Sequence, residues 1–136
     1  KLEQSIEVIS SLPKWNGHLY NWYNTKTLEP LIPRYISTVD SGNFIGFLYT
    51  VKQFLKEKEH TQYRDKIQGL IIEIDRIIQN TDFKPLYNEE KMLLSIGFNI
   101  EENKLISETI DPLGNVSLQE TDSRGNIVRV SKFDKD

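Results

Sequence analysis

Residues 62–79, QYRDKIQGLIIEIDRIIQ, decide the fold: Ile67, Leu70, Ile71, Ile74, Ile77 and Ile78 recur at intervals of three and four. An α-helix returns to the same face every 3.6 residues, so this spacing gathers the six side chains into one stripe. A stripe so apolar must be covered. The cover stands just upstream, where Phe44, Leu48, Val51 and Leu55 line one side of FIGFLYTVKQFLKEK (residues 44–58). Ser41 is placed to cap that helix, and Lys56 and Lys58 suit the negative end of its dipole. Only the polar stretch KEHT (residues 58–61) separates the two runs, which predicts an antiparallel helix pair over residues 41–80.

Further upstream, LEQSIEVISSL (residues 2–12) spaces Leu2, Ile6, Ile9 and Leu12 for a short helix, and Pro13 ends it by biasing Leu12 toward extended backbone. From Trp15 to Val39 neither helical nor strand periodicity persists. Trp15, Tyr20, Trp22, Tyr23 and Tyr35 crowd in there with Pro30 and Pro33, and the expectation is a long irregular loop. Ordering backbone costs about 1–2 kcal/mol per residue, so a long ordered loop is expected to serve a function.

Beyond Asn80 the pattern changes. FKPLY (83–87), MLLSIGF (92–98) and KLISETI (104–110) are short apolar or β-branched runs, separated by the turn-like NEEK (88–91) and NIEEN (99–103). DPLGN (111–115) then recurs as DSRGN (122–126), and each copy precedes a strand-like run, VSLQET and IVRVSKF. Gly and Asn tolerate the positive φ of tight turns, so each unit reads as one step of a β-meander. The expected class is α+β, with antiparallel helices followed by short β-hairpins.

The 136 residues suit one domain, with 38% hydrophobic and 27% charged residues as in ordinary globular proteins. Seventeen basic residues face twenty acidic ones and form no stripe, so nucleic acid is not an expected partner. The absence of cysteine excludes disulfides, thiolate metal sites and a Cys nucleophile. No apolar run is long enough to cross a bilayer, the chain starts at Lys1 rather than Met and shows no charged-then-apolar leader pattern, so it is expected to be an excised or processed piece of a bacterial protein, cytoplasmic or exported. Nothing in it calls for a metal or another cofactor.

Sugar sites stack aromatic rings on the C–H face of a pyranose and aim amides, carboxylates and guanidinium groups at its hydroxyls. WNGHLYNWYNTKTLEPLIPRYISTVDSGN (residues 15–43) holds both kinds of group: Trp15, Tyr20, Trp22, Tyr23 and Tyr35, with Asn21, Asn24, Glu29, Arg34 and Asp40. His18 could donate to a hydroxyl. Each has a plainer reading. The aromatics would equally anchor the loop to a core, Asp40 would equally stabilise the first turn of a helix, Glu29 would be a solvated acid, and His18 would be satisfied by loop carbonyls.

The run GHLYNWYNTKTLEPLIPRYISTVDSGNFIGFL (residues 17–48) resembles the cyclic β-1,2-glucan synthase family, in its glucoamylase-like α/α-barrel region, and FKPLYNEEKMLLSIGFNIEENKL (83–105) resembles the segment that follows there. What the resemblance implies is an incomplete (α/α) barrel over residues 1–105, with the aromatic loop 13–40 on a cleft for β-glucan or another oligosaccharide. It also implies glycoside hydrolysis or transglycosylation by carboxylic acids, of which Asp40 and Glu29 are the candidates. Trp15, His18, Tyr20, Trp22, Tyr23, Asn24, Arg34 and Tyr35 are then the candidate sugar contacts. The expected role is a fragment that binds or processes β-glucan within its parent polypeptide and does not turn it over alone. The alternative is a non-catalytic module of a larger shell or an oligomer interface. Two departures stand out: Asn24 occupies a position where the family pattern carries Asp, and after Leu105 the barrel helices give way to the Asp-Gly-Asn units. That tail, residues 106–136, is similar to the YD/Rhs-type repeats of bacterial toxin shells.

Overall fold

The computed structural model describes residues 1–60, 62–122 and 124–133. Helix α1 spans Leu2–Ser11, α2 spans Thr38–Glu57 and α3 spans Arg64–Asn80. Helix α2 begins three residues before the expected Ser41 cap, because Ser37 takes that role and its Oγ accepts from the Asp40 backbone N–H at 3.2 Å. Ion pairs fix how the helices lie. Lys52 on α2 bonds Asp75 on α3, while Lys66 Nζ on α3 reaches Glu3 Oε2 on α1 at 2.7 Å. Ser10 further along α1 donates to Glu73 further along α3, so these two helices run parallel.

The apolar stripes meet as their spacing requires. Ile67, Ile71, Ile74 and Ile77 bury against Leu48 and Leu55 of α2 and Ile6 of α1, with Phe44, Val51, Leu70 and Ile78 at the margin. Ile74 is fully buried at the centre. Burying one such side chain contributes roughly 1.5–3 kcal/mol, so this cluster is the principal source of helical stability.

The remaining chain is mostly strand. Lys14–Trp15 (β1) and His18–Leu19 (β2) form a hairpin, and Tyr87–Asn88 (β4) pairs with Leu93–Leu94 (β5). One antiparallel sheet runs in the order Tyr35–Ser37 (β3), Gly97–Asn99 (β6), Lys104–Ile110 (β7), Val116–Asp122 (β8) and Ile127–Phe133 (β9). Strand β6 carries Gly97 because a Cβ there would sit 2.0 Å from the Tyr35 hydroxyl and 2.5 Å from the Ile36 carbonyl. A second core of Ile36, Leu86 and Phe98, with Trp15, Tyr20, Phe83 and Leu105 packed on it, joins the sheet to the loops beneath.

The two Asp-Gly-Asn units make the same turn. Asp111 Oδ1 accepts from the backbone N–H groups of Leu113 and Asn115, both at 2.9 Å, and Asn115 Nδ2 donates to Asp111 Oδ2. Asp122 repeats this with Arg124 and Asn126 at 2.9 Å, and Gly114 and Gly125 share φ of +88°. These bonds to the ionised form, first of all those from the two Asn side chains, hold both carboxyls below the ordinary range.

The barrel expectation is corrected by this architecture. An (α/α) barrel needs a closed ring of helix pairs, but among the described residues three α-helices form one layer and a five-stranded sheet follows. The β-branched runs and Asp-Gly-Asn turns favour strands where further barrel helices would have to stand. The strands are also not separate short hairpins, since β7, β8 and β9 continue the sheet begun by β3 and β6.

Replacing Ile74 by Ala should cost about 2–5 kcal/mol in urea unfolding, since the cavity it leaves lies at the centre of the helical core. Gly97→Ala should also destabilise, because the Ile36 carbonyl cannot move aside as a side chain could. Parent-like midpoints in either variant would contradict the packing described.

Candidate functional site

A cavity of about 440 Å³ opens between the β1–β2 hairpin, the segment that follows it and the first turns of α2. Gly17, His18, Tyr20, Asn21, Trp22, Asp40, Ser41, Phe44 and Thr81 are among its lining residues. The hairpin is built by Asn16 and Gly17, with φ of +46° and +82°, which is the geometry of a two-residue type I′ turn. It rests on the end of α3. A Cβ at Gly17 would lie 2.1 Å from the Asn80 carbonyl oxygen, and the Asp82 backbone N–H donates to Asn16 O at 3.0 Å. Lys14 holds the other side, its ammonium donating to the Ser10 and Leu12 carbonyls at 3.1 and 2.9 Å where α1 ends.

His18 is 1% exposed and lies within this joint. Its Nε2 is 2.8 Å from the Asp82 carbonyl oxygen, so Nε2 carries the proton and donates, leaving Nδ1 as a buried acceptor without a partner among the described residues. The ring meets Phe83 edge-on with centroids 4.8 Å apart. Burial holds its pKa below the ordinary 6.5, partly opposed by the bond to Asp82 O. The imidazole is therefore neutral near pH 7.

The candidate residues separate into two groups. Trp22, at 52% exposure, Tyr20, His18 and Asp40 line the cavity together with Asn21. Asp40 sits in the first turn of α2, where a carboxylate also balances the positive end of the helix dipole. Tyr35 is half-buried, and its hydroxyl is raised in pKa by burial and then by the Asp40 charge.

Trp15 lies elsewhere. Its ring stacks on Phe98 with centroids 4.6 Å apart and 21° between planes, and it lines a different cavity of about 600 Å³ beside Tyr87, Glu89 and Glu90. Tyr23 closes the loop from within, its hydroxyl donating to Pro13 O at 2.7 Å and accepting from the Tyr20 N–H at 3.0 Å. Asn24 Oδ1 accepts from the backbone N–H groups of Lys26 and Thr27 at 2.8 and 3.1 Å, which makes it a turn-former. Glu29 is exposed at the far side of that turn. Arg34 Nε bonds Glu101 Oε1 at 2.6 Å and its backbone N–H bonds Glu101 Oε2 at 2.8 Å. The bond from the Arg34 side chain, above all, holds the Glu101 carboxyl below its usual range.

Gly17, Ser41, Phe44 and Thr81 were not among the candidates read from the sequence. Asn16-Gly17 was the available signal, since that dipeptide is a strong hairpin former. Thr81 had none, because it reaches the cavity only through the docking of α3 on the hairpin. Among the described residues no group of three or more His, Asp or Glu could hold a metal ion, and no helix is long and apolar enough to cross a membrane.

Over 57 residues, or 42% of the chain, the sequence is 53% identical to the cyclic β-(1,2)-glucan synthase NdvB of Rhizobium meliloti (strain 1021). This supports a family link with that synthase, although the chain spans about 2% of the relative's length. No family model matches the chain, and no solved structure matches it. The α/α barrel and the YD/Rhs likeness thus gain no support from relatives.

Two outcomes follow from this geometry. An unfolded chain takes up a proton on His18 near the ordinary pKa of 6.5 and the folded one only at lower pH, so stability should fall as pH drops through 6.5. His18→Phe should flatten that slope in thermal melts, and an unchanged slope would contradict His18 as its source. Trp15→Ala should cost about 3 kcal/mol as a core anchor, whereas Trp22→Ala should cost about 1 kcal/mol or less. Equal losses would contradict the distinction.

Proposed function

We propose that this chain is a β-glucan-handling segment of a larger carbohydrate-active protein, and that the cavity beneath Trp22 receives the sugar. The observation carrying this reading is the half-exposed Trp22 ring at a cavity that also holds Asn21 and Asp40, within a chain that shares 53% identity over 57 residues with a β-glucan synthase. An exposed indole offers a face to the C–H side of a pyranose, and the amide and carboxylate can bond its hydroxyls. Tyr20 and His18 form the wall behind it. Tyr35 supports β3 and the start of α2 rather than meeting sugar directly.

In this reading residues 1–105 supply the glucan-related part and residues 106–136 extend its sheet. Asp40 is the proposed carboxylate for acid–base or nucleophilic work in the parent protein. Glycosidic cleavage requires a second carboxyl about 5–9.5 Å away across the sugar. Glu29 is the candidate from the sequence, although it does not line this cavity. The segment alone is therefore proposed to bind without turnover, with the second acid supplied by the parent polypeptide.

A second reading, a module that assembles with others, has one observation in its favour. Among the described residues strand β9 ends the sheet, and Ile127, Val130 and Phe133 on it are exposed. An unpaired strand edge of that composition is prone to pair with another strand. Concentration-dependent association in sedimentation would favour this reading.

The primary reading is tested by calorimetry with linear β-1,2-linked gluco-oligosaccharides. Trp22→Ala should weaken binding at least about tenfold, the loss expected from removing one stacking platform of about 1.5 kcal/mol. Trp15→Ala, if folded, should leave the affinity within about twofold. Asp40→Asn keeps a comparable helix start but cannot transfer a proton, so it should abolish turnover in the parent enzyme. Unchanged affinity in Trp22→Ala would remove this cavity as the sugar site.

A further inference from the structure

The cavity described above carries a charge pattern that restricts its ligand. Among the described residues its lining contains no Lys or Arg, and Asp40 is its one carboxylic acid. His18, the group in the lining that could become cationic, is kept neutral by burial, which the bond from its Nε2–H to Asp82 O opposes only in part. Arg34, the guanidinium nearest in sequence, pairs through Nε with Glu101 Oε1, while Glu101 Oε2 accepts from the Arg34 backbone N–H. The start of α2 would ordinarily attract an anion, but Ser37 Oγ already takes the Asp40 N–H, and the Asp40 carboxylate outweighs the half-charge of a helix end.

We propose, resting on the sugar-site reading, that this cavity selects uncharged sugars and turns away sugars bearing carboxylate or phosphate, with Asp40 as the residue that sets the preference. An anionic substituent would meet a like charge with no cation in the lining to offset it. Asp40 is exposed, so the penalty is screened by water and salt. Between charges several ångströms apart near a protein surface, a discrimination of about tenfold is the expected scale at low ionic strength. Wherever such a segment works, carboxylated or phosphorylated glucans would be poor ligands.

The test compares sophorose, the neutral β-1,2-linked glucose disaccharide, with the disaccharide in which glucuronic acid replaces its non-reducing glucose. Binding to the intact chain is followed by calorimetry or NMR in about 20 mM and about 500 mM NaCl, conditions that bracket strong and weak screening. Sophorose should bind about tenfold more tightly at low salt, the gap should shrink at high salt, and Asp40→Asn should close it, read as the ratio of the two affinities in that variant whatever the change in each. A thermal melt confirms that the variant is folded, and the salt dependence tests the idea in the parent chain whether or not it is. Equal affinity for the two ligands at low salt would overturn the proposal, as would a gap that persists in folded Asp40→Asn. Failure of both ligands to bind would instead overturn the sugar-site reading, and the preference with it.

Discussion

The structure depends on one close approach, the backbone of Gly17 against the carbonyl of Asn80 at the end of α3. A side chain at position 17 would need the space held by that carbonyl, 2.1 Å from where its Cβ would sit, and φ of +82° disfavours any residue but glycine there. Around this contact the Asp82 N–H reaches Asn16 O, and His18 Nε2 reaches Asp82 O. These bonds fasten a two-strand hairpin to the helical layer. The hairpin in turn fixes where the chain leaves toward Trp22, and so fixes one wall of the cavity.

The joint also links the two cores. Trp15, one residue before the turn, packs on Phe98 in the sheet, while Asn80 and Thr81 terminate the helix whose Ile74 and Ile77 lie in the helical core. Each half alone has a modest apolar cluster. Their common seam is polar and hydrogen-bonded, which suits a region that must hold a fixed shape while leaving a cavity open. Neutral His18 at its centre is consistent with that arrangement, since an imidazolium would place an uncompensated charge in a buried position.

Much of the helical layer was legible in the sequence because its signal is local: the Ile67 to Ile78 period can be read without knowing what covers it. The Asp-Gly-Asn turns were legible for the same reason, each being closed by bonds among five consecutive residues. The sheet as a whole was not. Strand β3 has three residues, and its partner β6 begins 60 positions after Ser37, so no pattern within either segment announces the pairing. The barrel expectation failed because likeness in a segment brought with it an architecture that the rest of this chain does not build. Site residues were legible by type but not by place: Trp15 and Trp22 look alike in sequence, yet one is stacked in a core and the other stands at a cavity mouth. Arg34 looked available until the fold set Glu101 against it.

The central claim is that the cavity between the hairpin and α2 is the sugar site and the cavity beside Trp15 is not. The most direct measurement is a two-dimensional proton–nitrogen NMR titration with a neutral β-1,2-linked gluco-oligosaccharide, in which the two indole N–H signals report on the two cavities separately. The account predicts shifts at the Trp22 indole and at the amides of Gly17, Asn21 and Ser41, with the Trp15 indole unmoved. Shifts centred on Trp15, Glu89 and Glu90, or no shifts at saturating sugar, would contradict it.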